Sequence, residues 1–130
     1  MSEAVIKNWL ALAEYDMTSA EVMFQTGRYV YVTFMCQQAI EKMMKALYVR
    51  EYQQTPPYTH NLTRLLSLLS FSNEATPNDR DFFERLNYYY LESRYSETIF
   101  ELYKTLTENQ ASDIYMETKR VYQWLQDKIL

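Results

Sequence analysis

Four polar side chains, Gln38, Glu41, Lys42 and Lys45, stand at positions i, i+3, i+4 and i+7 of one segment, the spacing that aligns them along one face of a helix. Two ammonium groups and a carboxamide in a row suit phosphate oxygens and the edge of a base, because charged donors grip the anion while the amide meets the heterocycle. The same spacing describes the solvated side of an amphipathic helix, with Glu41 and Lys45 as a surface pair contributing about 0.3 kcal/mol. Periodicity by itself favours that plainer account. Asp16, flanked at helical spacing by Ala13 and Ala20, falls on a largely apolar face, where an unpaired carboxylate is expensive. It is expected to pair with Lys42, Lys45 or Arg94, in a structural role rather than a catalytic one. The one histidine, His60, precedes an apolar run and reads as a capping or packing residue, with ligand contact as the alternative. One His and one Cys make no recognisable zinc site, and a single Gly excludes a glycine-rich phosphate loop. No metal or other cofactor is expected.

The elements that must position these groups are helical. From Val5 to Gln25, residues Ile6, Leu10, Ala13, Met17, Ala20 and Phe24 recur at alternating steps of four and three, one buried helical face. Gly27 then stands where a helix commonly ends in a left-handed residue, so a tight turn to an antiparallel neighbour follows. The second helix runs from Tyr29 to Tyr52 with Ile40, Met43, Met44 and Leu47 as its apolar stripe, opposite the polar one. Pro56-Pro57 stops any continuation, and Gln53 to Thr59 reads as a linker across one end of the bundle. A shorter third helix, about His60 to Leu69, carries Leu62, Leu65, Leu66 and Leu69, and Ser70 to Ala75 reads as loop. Thr76-Pro77-Asn78-Asp79 supplies an N-cap, a proline at the first helical position and an early carboxylate for helix four, with Phe82, Leu86 and Tyr89 or Tyr90 on its buried side. Between Arg94 and Ala111 only Ile99 to Leu106 is amphipathic, with a break expected at Glu108-Asn109-Gln110. Ser112 is expected to cap a last helix that turns Ile114, Thr118, Val121 and Leu125 inward.

The expected fold is therefore all-α, an up-down antiparallel bundle of four or five helices, with residues 1–130 as one domain. The lone Cys36 lies in an apolar helical run and has no internal disulfide partner, so a reducing compartment, the cytoplasm, is expected. The first residues lack the basic start and apolar core of a signal peptide, and no apolar run approaches the roughly 18 residues of a membrane span, so no membrane association is expected. A net charge of −4 argues against broad attraction to nucleic acid but not against a local basic grip on one phosphate. The 13 tyrosines fit an aromatic interface or, more simply, bulky core filling.

Taken in order along the chain, Trp9, Ala13, Asp16 and Ala20, then Gly27 and Tyr29, then Gln37-Gln38-Ala39-Ile40-Glu41-Lys42 with Lys45-Ala46 form a pattern. Thr59-His60-Asn61-Leu62 and Tyr90-Leu91-Glu92-Ser93-Arg94-Tyr95 complete it. This pattern resembles the HEPN family over nearly the whole chain. The resemblance implies a helical bundle, frequently homodimeric, often encoded beside a minimal nucleotidyltransferase, with members that bind nucleotides or cleave RNA without metal in toxin–antitoxin or defence systems. The RNase branch of the family carries an Arg followed four to six residues later by His. Here the residues at those distances after Arg94 are Thr98, Ile99 and Phe100, and after Arg85 they are Tyr89, Tyr90 and Leu91. The family's RNase chemistry therefore lacks its proton-transfer group.

The reading that follows is a non-catalytic, nucleotide- or RNA-associated module that dimerises and acts with a nucleotidyltransferase. Lys42, Lys45, His60, Arg64 and Arg94 are expected to contact phosphate, Gln38 and Glu41 to complete the cleft, and Tyr90 or Tyr95 to stack on a base. Two alternatives stand beside it. One is an atypical RNase that uses Arg94 with His60 or a tyrosine, and the other a protein-interaction scaffold with a tyrosine-rich surface.

Overall fold

The structure, a computed structural model, describes residues 3–129 apart from the side chains of Ser96 and Thr98. Among the described residues there are six α-helices and no strand. Helix α1 (Glu3–Gln25) turns at Gly27, whose φ of 76° lies in the left-handed region, and α2 (Tyr29–Tyr52) runs back along it. Ala13 and Ala20 on α1 are fully buried, and their small side chains let the two helix backbones approach closely.

Helix α2 is the axis of the bundle. It packs against α1, α3 (Leu62–Ser67), α4 (Pro77–Glu92), α5 (Ser96–Thr105) and α6 (Glu108–Asp127). Val32, Cys36, Ile40, Met43, Met44 and Leu47 meet Leu65, Leu66, Phe83, Leu86, Ile114, Val121 and Leu125 in one continuous core. Because neighbours surround it, α2 has no broad solvated side. The water-facing stripe that periodicity by itself favours is not formed: Glu41 and Lys45 are 4% and 6% exposed, and Gln38 and Lys42 are half-buried.

Cys36 is fully buried in this core, in hydrogen-bonding contact with the Thr118 side chain. Burial pushes the thiol up to about 12, and the Thr118 hydrogen bond only partly opposes it. Because the thiolate is the reactive form, the folded protein is expected to resist a thiol-specific disulfide reagent at pH 8. One equivalent should react when the reagent is added in denaturant; fast labelling of the folded protein would contradict this burial.

Local chemistry sets the helix ends. At the start of α4, Thr76 Oγ1 accepts from the Asp79 amide at 3.0 Å while the Asp79 carboxylate accepts from the Thr76 amide at 3.0 Å, a full capping box with Pro77 at the first turn. Arg120 of α6 also donates to Asp79, tying α6 to this corner. Burial alone raises the Asp79 carboxyl, but the Thr76 and Arg120 hydrogen bonds outweigh it and hold the group below its ordinary value. A depressed carboxyl contributes stability that is complete above its unfolded value and drains as pH falls through the folded one. The unfolding free-energy difference between wild type and Asp79→Asn is therefore expected to be on the order of 1 kcal/mol near neutrality and to shrink toward pH 2.

Boundaries of α3, α5 and α6 differ from expectation: α3 ends at Ser67 rather than Leu69, and α5 begins at Ser96 rather than Ile99. Helix α3 begins at Leu62 rather than His60, because the Asn61 side chain accepts from the Arg64 amide as its N-cap. Helix α6 begins at Glu108, not near Ser112: Thr107 and Gln110 form a second capping box, so the expected break at Glu108-Asn109-Gln110 is instead the first turn. No helix among the described residues is long and apolar enough to cross a membrane.

Candidate functional site

The polar residues of α2 form two groups. Lys42 Nζ lies 2.5 Å from Asp16 Oδ2, so the buried carboxylate of α1 has the partner its apolar face demanded. In the second group, Glu41 Oε2 accepts from Lys45 Nζ at 3.1 Å, and Glu41 Oε1 accepts from Gln37 Nε2 at 3.1 Å and from His60 Nδ1 at 2.9 Å. Lys45 Nζ also stands 5.7 Å from the Trp9 ring centroid. The i,i+4 pair read from sequence is present, but it lies inside the protein, where two charges require each other.

This network reaches outward through His60. Gln37 Nε2 donates to the His60 carbonyl at 2.8 Å as well as to Glu41, and Gln38 Nε2 donates to Gln37 Oε1 at 2.7 Å. Ring and backbone of His60 are thus both held from α2, although His60 lies in the loop before α3. A carboxylate only accepts, so Nδ1 carries the proton and Nε2 is the nitrogen left for other partners.

Beyond His60 lies a cavity of about 360 Å³ lined by Thr59, His60, Asn61, Asn87, Tyr90, Leu91 and Arg94. Its floor is aromatic. Tyr90 is nearly buried, stacked on Phe34 at 5.6 Å and tilted against the His60 ring at 5.0 Å, and Tyr58, 94% exposed, meets His60 edge-on at 5.7 Å. Arg94, just past the end of α4, is exposed with its guanidinium 5.3 Å from the Tyr90 ring centroid. It makes no ion pair among the described residues. Burial, reinforced by the Glu41 charge, pushes the Tyr90 phenol above its ordinary value, and Arg94 draws it only part of the way back. The phenol is therefore neutral and able to donate at physiological pH.

Of the residues singled out from sequence, His60, Tyr90 and Arg94 line this one cavity, brought there from the α2–α3 loop and the end of α4. Glu41 and Gln38 stand behind it, and Lys42, Lys45 and Asp16 form its internal supports. Arg64 is exposed on α3 and Tyr95 is exposed at the start of α5, both outside the cavity lining. Sequence reasoning gave no role to Gln37 or Asn87. Asn87 Oδ1 accepts from the Leu62 amide at 2.9 Å and its Nδ2 donates to Asn61 Oδ1 at 3.0 Å, locking α4 to the α3 cap. A lone Asn within a helix carries no signal of such a role, whereas Asn61 ahead of an apolar run is a readable cap.

What the cavity can do follows from its parts. An arginine free of carboxylate partners can hold a phosphate through several N–H groups, and neighbouring rings can stack on a base. Among the described residues no group of three His, Cys, Asp or Glu side chains could hold a metal ion.

The HEPN domain model matches residues 6–129. A comparison with curated proteins returned no match. Among solved structures, TT1696 from Thermus thermophilus superposes with a TM-score of 0.81 at 19% identity, covering 95% of this chain and 97% of its own. The archaeal HEPN homologue ST0689 gives a TM-score of 0.74 at 24% identity, covering 96% and 98% respectively. These likenesses establish the fold.

Proposed function

The chain belongs to the HEPN domain family, and from that premise we propose that it is a non-catalytic nucleotide- or RNA-binding module whose ligand lies in the cavity between His60 and Arg94. One observation carries this reading: an arginine with no ion pair among the described residues, a histidine and a stacked tyrosine line a single cavity, although the sequence holds His60 and Arg94 far apart. Arg94 holds phosphate, while Tyr90, Tyr58 and the His60 ring offer faces to a base. Glu41, Gln37, Gln38 and Lys45 hold His60 in place; Lys42 and Asp16 fix α1 to α2 behind it. The module works as a homodimer with a minimal nucleotidyltransferase, in a toxin–antitoxin or defence setting.

The test is binding of ATP and of a short single-stranded RNA to the metal-free protein at low salt. Arg94→Ala is expected to weaken both about tenfold or more, the size of a lost charge-assisted contact. Lys42→Ala, which lies outside the cavity, should weaken them less. Absence of binding by the wild-type protein to either ligand would refute the reading.

A second reading has a specific observation in its favour. The Glu41–His60 hydrogen bond orients an imidazole in the cavity that holds Arg94, which is the geometry of a positioned base beside a phosphate grip. Cleavage of RNA by the metal-free protein, abolished in both Arg94→Ala and His60→Ala, would establish that activity; an inert wild-type preparation would exclude it.

A further inference from the structure

Resting on the nucleotide-binding reading above, we infer that Asn61 and Asn87 are specificity-determining residues that make the cavity select guanine over adenine. Both carboxamides have a settled orientation, because each oxygen accepts from a backbone amide that can only donate: Asn61 Oδ1 from Arg64 at 3.2 Å, and Asn87 Oδ1 from Leu62 at 2.9 Å. A flipped amide would set a donor against a donor at both places. Asn61 Oδ1 takes a second bond, from Asn87 Nδ2 at 3.0 Å. What these two residues have left is mainly N–H: both hydrogens of Asn61 Nδ2, which has no partner among the described residues, and the second hydrogen of Asn87 Nδ2.

Arg94, at the other end of the lining, is also a donor only, and between them His60 Nε2 is an acceptor. The end of the cavity at Asn61 and Asn87 is thus biased toward ligand acceptors. Arg94 follows Asn87 by seven residues and stands just past the end of α4, with Tyr90 and Leu91 between them. This order matches a nucleotide laid along α4 with its phosphate on Arg94, its sugar over Leu91 and its base edge at the asparagines. Guanine presents two adjacent acceptors, N7 and O6, on that edge, whereas adenine presents N7 beside the N6 amino donor. Two N–H groups meet both guanine acceptors; against adenine one of them faces another donor.

The experiment is calorimetric titration of the full chain with GMP and with AMP at one low salt concentration, in wild type, Arg94→Ala and Asn61→Asp. Wild type is expected to bind GMP about tenfold or more tightly than AMP. Asn61→Asp keeps a capping oxygen at the start of α3 but replaces the donating nitrogen with an acceptor, so the GMP to AMP ratio should fall to near one or invert. The added charge weakens both ligands alike, and only the ratio is read. If Asn61→Asp melts early, Asn61→Ser gives the same test, since it retains a capping oxygen and has no amide. Equal affinity of the wild type for GMP and AMP, with both weakened in Arg94→Ala, would overturn this inference and leave the binding reading intact. A preference that survives in Asn61→Asp also overturns it. Binding of neither nucleotide overturns the inference together with the reading on which it rests.

Discussion

Glu41→Ala is expected to remove about 3–5 kcal/mol of unfolding free energy, the usual cost of deleting one partner of a buried ion pair. The magnitude follows from what is left behind. Lys45 is 6% exposed, and Glu41 is its one carboxylate partner among the described residues; without Glu41 that charge remains in the interior against the Trp9 face. His60 Nδ1 loses its acceptor and Gln37 Nε2 one of its two in the same step. A domain of this kind has only about 5–15 kcal/mol in total, so a midpoint shift in urea with an unchanged slope should be plain. The double replacement Glu41→Leu with Lys45→Leu is the control, because removing both charges together avoids the stranded ion. It should recover much of the loss. If Glu41→Ala alone costs less than about 1 kcal/mol, Lys45 reaches water and the pair is not the closed interaction seen here. The double variant also separates stability from the site: it folds, but His60 no longer has its Nδ1 acceptor, so nucleotide affinity should fall even where stability returns.

The helices were legible because each carries its own short-range signal. Ile6 through Phe24 on α1 and Ile114 through Leu125 on α6 repeat at the helical period, and the cap at Thr76 is complete within four residues. The start of α6 was equally local, since Thr107 and Gln110 have capping-box spacing, but the polar run Glu108-Asn109-Gln110 resembled a loop. Periodicity alone misplaced the stripe on α2 for a different reason. Periodicity records which residues share a face, not whether another helix covers it, and α2 is covered by α1, the α2–α3 loop and α4 together. The cavity was the least legible feature. His60 and Arg94 were expected in one site through the family resemblance, but their meeting depends on the linker from Gln53 to Asn61 crossing the bundle end and on Asn87 locking α4 to the Asn61 cap. Neither contact has a sequence period. Gln37 was missed because a polar residue beside an apolar stripe looks solvated, whereas its amide, fully buried, joins Glu41 to the His60 carbonyl.

The site depends on α4 as much as on its own residues, which makes Phe83 a second position of large effect. Phe83 is fully buried and lies two helical turns before Tyr90, hence on the same face of α4, the face that seats Tyr90 on Phe34. Phe83→Ala is expected to cost about 3–5 kcal/mol, the transfer term of a buried aromatic ring plus the cavity left where neighbouring helices relax only partly. For a chain of this length that corresponds to a fall in Tm of roughly 10–20 °C. Phe83→Leu, which fills most of the volume, should lose less than half as much. Ligand binding distinguishes this packing role from the role of Tyr90. At low temperature, where the Phe83→Ala protein still folds, its nucleotide affinity should stay within a few-fold of wild type, because no lining group has changed. Tyr90→Leu, a smaller change in hydrophobicity, should instead lose affinity by the order of tenfold, since it removes the ring on which a base stacks and against which Arg94 rests. Equal loss of affinity in both variants at matched folded fraction would mean that α4 as a whole, rather than Tyr90, determines binding.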